Sequence, residues 1–259
     1  MNFTLPEGLP PGRFVSSGSA CVWVADELPC DVDGVWRPLL SMQEDTELVP
    51  LLGGTFLSRP IDLAQISAVR LEDALTSDFA EYRRRRLPWW TDPTPEPVPE
   101  GTAPWPHDPG PPFETWPGLA PATPVTDTAP SPADAAAHTI GHLIATNPYE
   151  LAGCSLVLAP AQHSADIPAL LGWDAEAPLP LVCALLRSWE ERFGARVVGM
   201  GGRLFVSVAR PPQTAAHADL LALEHVLSTA DNIVDDPPTP FPEYAAILPQ
   251  RTHWSFWWD

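Results

Sequence analysis

Lysine is absent from this 259-residue chain, so Schiff-base chemistry and a phosphate-binding lysine are excluded at the outset. All 14 basic residues are arginine, set against 33 Asp and Glu, for a formal net charge of -19. A surface of that sign repels a phosphate backbone, which argues against nucleic-acid binding and favours a basic protein as partner. No apolar run reaches 18 residues, so no membrane span is expected. The opening stretch MNFTLPEGLPPGRF holds three prolines and lacks the apolar core of a signal peptide. Only four cysteines occur (Cys21, Cys30, Cys154, Cys183), none in C-x-x-C spacing; buried, reduced thiols in a cytoplasmic protein are expected. Also missing are G-x-S-x-G, H-E-x-x-H, G-x-G-x-x-G after a strand, and the phosphate-binding G-x-x-x-x-G-K-[ST], so no cofactor is implied.

What the chain does have is proline (34), tryptophan (11) and an apolar content of 45%, enough to build a core. The length favours two globular parts, and composition suggests where they divide. Residues 1–87 predict a small α+β domain: strands at Ala20–Val24 and Leu48–Leu52, then helices over 62–69 and 71–86. The Arg83–Arg86 run ends the second helix and suits the negative end of its dipole. Residues 88–132 hold fifteen prolines in 45 positions and predict a linker without regular structure. Its four tryptophans (Trp89, Trp90, Trp105, Trp116) predict that parts of it lie across a domain surface with rings inserted.

Residues 133–259 predict a second α+β domain with an antiparallel sheet of about four strands (154–159, 195–200, 203–209, 253–258) and helices packed on one face. Its centre is RVVGMGGRLFVSVAR (196–210), two apolar arms around Gly201-Gly202. That pattern predicts a hairpin whose two central residues need positive φ. Val182, Leu185, Leu186, Trp189 and Phe193 keep helical spacing before Gly194, with Arg187 and Glu191 as an exposed i, i+4 pair. At the end, period-2 alternation puts Trp254, Phe256 and Trp258 inside and leaves His253, Ser255, Trp257 and Asp259 on the other face.

Two groups of residues invite a chemical reading. Asp134, His138 and His142 share one helical stripe, a weak metal-ligand pattern without a fourth ligand or a general base. Asp231, Asn232, Asp235 and Asp236 end a helix and could meet His253 and Asp259 at a sheet edge, as a hydrolytic or divalent-metal site would require.

The ordered string Leu171-Gly172-Trp173, SWEERFGARVVG (188–199), VARPP (208–212), DNIV (231–234) and the terminal WSFWWD (254–259) resembles an actinobacterial family known as domain of unknown function 4253. The likeness covers residues 150–259, and the Pro-rich stretch around Trp116-Pro117-Gly118 resembles the family's longer members. The resemblance implies an α+β fold in bacterial cytoplasm and brings no activity or catalytic residue. The leading expectation is therefore a non-catalytic interaction module, immunity-like, using an acidic, Trp-edged surface of Asp231, Asn232, Asp235, His253, Trp257, Asp259 and Trp173. The alternative is a hydrolase or divalent-metal enzyme built on Asp231, His253 and Asp259.

Overall fold

Residues 3–17, 20–54, 61–94, 101, 104–147, 150–173, 176–235 and 238–259 are described by the computed structural model, and their strands join one mixed sheet. In chain order these are β1 (Gly12–Ser17), β2 (Ala20–Ala25), β3 (Leu48–Gly53), β4 (Ser155–Pro160), β5 (Arg196–Met200), β6 (Leu204–Ser207) and β7 (His253–Phe256). Across the sheet they run β1-β2-β4-β3-β5-β6-β7. Every pairing is antiparallel except that of β3 with β5. The four expected strands are β4 to β7, and β1 to β3 add to the same sheet. Because β3 lies between β4 and β5, the sheet runs continuously across the boundary suggested by the Pro-rich stretch. Pro50 is tolerated in β3 because β5 pairs only with Leu52 and Gly53, beyond the position where proline lacks a donor.

Helices cover both faces, not one as expected, because both sets of alternate strand residues are apolar. On the first face Val22, Val49, Leu51, Val157, Val206 and Phe256 pack against α4 (Leu71–Thr91), α7 (Leu179–Phe193) and α8 (Ala215–Leu227). On the second, Trp23, Leu52, Leu156, Leu158, Val198 and Phe205 meet α1 (Arg37–Ser41) and α5 (Pro132–Thr146). Each such side chain fully buried contributes about 1.5–3 kcal/mol. The remaining short helices are α2 (Gln43–Thr46), α3 (Leu63–Ser67), α6 (Ile167–Leu170) and α9 (Phe241–Ile247).

Helix ends follow local chemistry. Asp62, Ser131 and Thr214 cap α3, α5 and α8 by accepting from backbone N–H groups, and Gly194 stops α7 at φ +60°. Helix α4 runs on through Pro88 to Thr91, further than expected, so the four arginines fall short of its last turn, and three of them find side-chain partners. Arg84 and Arg85 pair with Glu81, while Arg86 pairs with Asp235. The β5–β6 hairpin has a three-residue loop, and neither Gly201 nor Gly202 takes positive φ, unlike the two-residue turn expected. Of the four cysteines expected as buried thiols, Cys183 is buried and its thiol is pushed up to about 12 by burial; Cys30 is exposed.

Beyond α4, the described residues of the Pro-rich segment from 104 onward lie across the first face as a strap. Trp116 packs on Phe79, with ring centroids 6.4 Å apart. Gly110, at φ +73°, presses so closely on the Trp90 ring that any Cβ would collide with it. Trp89 and Trp105 stay exposed, so two of the four rings are inserted. At Ala120 the strap meets a fully buried carboxylate, Glu224 of α8. Glu224 accepts from Ala120 N (2.7 Å), Trp189 Nε1 (2.7 Å), and Arg192 Nη1 and Nη2 (2.8 and 2.6 Å), and Arg192 also donates to Ala120 O.

Candidate functional site

The residues singled out at the carboxyl end hold the last strand in place. β7 is an edge of the sheet, and its continuation is tied down by the turn after α8. Asp231 N donates to Trp257 O (2.9 Å), Asn232 Nδ2 donates to Ser255 O (3.0 Å) and Asn232 Oδ1 accepts from Trp257 N (2.6 Å). Asp231 Oδ2 accepts from Asp259 N (2.8 Å). These bonds occupy main-chain groups that an edge strand otherwise leaves open. Asp235 pairs with Arg86, and Asp236 lies outside the described residues. Trp257 is half-buried beneath Arg203, which sits 5.8 Å above its ring.

Trp173 corrects the expected surface. It is buried, packs edge-on against Trp258 and donates from Nε1 to Gly201 O (2.7 Å), because its ring fills the space beneath the hairpin loop.

His253 sits six residues before Asp259, roughly 20 Å along an extended chain, and faces α5. Its ring lies 5.3 Å from that of His142. Burial, then His142, Arg251 and His138, holds its pKa below the ordinary histidine value. Two separate sequence candidates thus meet, but as a cluster of imidazoles that Asp134 does not join; it pairs with Arg37 and Ser131. Among the described residues no group of three or more His, Cys, Asp or Glu is placed to hold a metal ion.

A cleft lies elsewhere, where β4 ends and β5 begins. Its volume is about 820 Å³, and Glu44, His163, Asp166, Arg187, Glu190 and Arg196 are among its lining residues. β4 stops at Pro160, and a short 3-10 turn at Ser164–Asp166 follows; Ser164 Oγ accepts from Val197 N and locks this turn to β5. Helix α7 turns its apolar stripe to the sheet, which leaves Arg187, Glu190 and Glu191 toward the cleft. Arg187 bonds Asp166 (2.7 Å), not Glu191 as helical spacing suggested, because the largely buried Asp166 needs a counter-charge.

Glu190 is the unusual member. Burial above all holds its carboxyl pKa over the ordinary glutamate value, against the opposing pull of His163 and Arg196. Its Oε2 is closed to solvent and makes no well-aligned hydrogen bond, yet lies 3.5 Å from His163 Nδ1. Arg196, the first residue of β5, is also buried, and desolvation pulls its pKa below the usual guanidinium value. The arrangement offers a proton donor and acceptor beside a cation, in a space of ligand size. Sequence reasoning missed it. The available signal was the charge density of SWEERFGAR, from which Glu190, Arg192 and Arg196 all turn inward or toward the cleft.

No helix among the described residues is long and apolar enough to cross a membrane. No curated protein and no solved structure matches the chain. Residues 155–259, which supply β4 to β7, α7 and most of the cleft wall, match the model of the family described as Domain of unknown function (DUF4253).

Proposed function

We propose that the chain binds a small polar ligand in the cleft between α7 and the segment after β4, with His163 and Glu190 exchanging a proton with it. The observation that carries this reading is Glu190 Oε2, closed to solvent, without a well-aligned hydrogen bond among the described residues and 3.5 Å from a half-exposed imidazole. Burying such a group costs stability that packing alone does not repay, and placement beside an imidazole in a cavity suits general acid–base chemistry. The reading that builds a hydrolase on Asp231, His253 and Asp259 draws no comparable support, since those residues serve the strand edge and the imidazole cluster.

Glu190→Gln preserves shape and removes the charge. Glu190 holds its proton more tightly in the folded than in the unfolded chain. Its contribution to stability is therefore complete below the ordinary value of 4.5 and is lost as pH rises through the raised native value. The variant is expected to gain stability over wild type above that range and to lose the advantage in acid, as read by denaturant melts at several pH values. A constant difference across pH defeats the assignment. For ligand binding, a panel of amino acids, sugar phosphates, nucleotides and polyamines is scored by the imidazole NMR resonances of His163. A hit shifts them in wild type and does so less in Glu190→Gln; a panel without effect on His163 counts against the cleft.

A second reading, recognition of a basic protein, is favoured by the net charge of -19 and by the partly exposed Trp257 beside Asp231 and Asp259. Affinity purification from the native host at low and moderate salt is then expected to recover a basic protein that Trp257→Ala releases. Retention by the variant refutes this surface.

A further inference from the structure

Building on the cleft reading, we propose that Arg196 is an anion anchor: the ligand carries a carboxylate or phosphate group that takes the place of Glu44 on its guanidinium. Arg196 is fixed in space because its backbone lies in the sheet opposite Ser207. Its side chain is only 8% exposed. A buried guanidinium ordinarily meets a carboxylate in a fork, as Arg192 meets Glu224 with two bonds of 2.8 and 2.6 Å. Arg196 has no such partner among the described residues. It donates to Leu40 O at 3.2 Å and makes one long contact of 3.4 Å to Glu44, whose side chain is 86% exposed on the four-residue α2.

A carboxylate that exposed, at that distance, neutralises a buried cation poorly and is free to swing away. The other cation of the cleft, Arg187, is already matched by Asp166 at 2.7 Å. Three further acids face the same space: Glu44, Glu190 and Glu191. Glu44 leaves when the anion enters. Glu190, biased by burial toward its protonated form, is able to donate a hydrogen bond to the incoming oxygen. Glu191 repels it, which restricts the seat to a group that forks onto Arg196. The chemistry is shared by carboxylates and phosphates, and the experiment separates them.

The full chain is titrated with sodium phosphate and, separately, with sodium acetate, each against sodium chloride at constant ionic strength. Binding is read from the Arg196 Nε–Hε NMR cross-peak and from Tm. At least one of the two anions is expected to shift the cross-peak saturably and raise Tm, while chloride does neither. A response to phosphate alone assigns a phosphoryl ligand, and one to acetate alone a carboxylate. Glu44→Gln, at an exposed position that leaves the core untouched, is expected to tighten the response roughly 3- to 10-fold by removing the competitor. Arg196→Gln is expected to abolish it. The anchor is overturned if neither anion moves the cross-peak, if Glu44→Gln weakens the response, or if a folded Arg196→Gln still binds. The pH-dependent gain of Glu190→Gln is a separate readout. If it persists while both anions leave Arg196 unmoved, the acid–base pair stands and the anchor falls.

Discussion

Glu224→Ala is expected to lower the stability of the folded chain by about 3–5 kcal/mol, and Tm by on the order of 10 °C. The carboxylate is fully buried and receives four hydrogen bonds, two from Arg192 and one each from Trp189 Nε1 and Ala120 N. Truncation strands a largely buried guanidinium together with two donors that lose their acceptor. The strap loosens as well, because Ala120 is held at both its N–H and its carbonyl by this pair. Amide exchange around residues 119–123 is expected to accelerate more than in β5. Replacing both partners with apolar residues, as Arg192→Met with Glu224→Leu, is expected to cost much less than the sum of the single changes. Thermal and urea melts of the three variants form the cycle. A loss below 1 kcal/mol for Glu224→Ala refutes the structural role given to the pair.

The second large effect is expected at Phe256, where truncation to alanine costs about 3–5 kcal/mol. Phe256 is buried against three rings. It stacks on Trp189 at 5.4 Å, meets His225 edge-on at 5.1 Å and lies 6.0 Å from Trp258. His225 is itself enclosed, and burial pushes its pKa down to about 3, so it stays neutral and behaves as an aromatic wall. An alanine at 256 leaves a void that this rigid cluster cannot close. One residue on, Trp257→Ala is expected to cost less than about 1 kcal/mol, since its ring rests on Arg203 at the surface. Equal losses at the two positions would contradict the alternation of β7.

That alternation was legible in the sequence because a strand of tryptophans and phenylalanines at every second position carries its own register. The stripe on α7 was legible for the same reason at the helical period. The joining of β3 to β4 and β5 was not, since pairs such as Leu51 with Val157 leave no local trace. Strand β1, GRFVSS, is too polar to announce itself. Charged residues misled most. Arg187 and Glu191 have the spacing of a surface pair, but Asp166 draws the arginine away from it. Arg192 and Glu224 are 32 residues apart, and Arg196 and Glu44 are 152 apart. Spacing alone cannot join such partners, so the cleft, assembled from four separate segments, stayed hidden while the acids near the carboxyl end drew attention.

The place of β3 in the sheet also bears on the nascent chain. Its strand is synthesised more than 100 residues before either of its neighbours, β4 and β5. At about 5–20 residues per second, an apolar segment from Leu48 to Gly53 waits many seconds for its hydrogen-bonding partners. During that interval only the local β1–β2 pairing is available to the amino-terminal strands. Closure of the sheet is therefore a late, long-range event, and holdase chaperones have their opportunity before β4 leaves the ribosome.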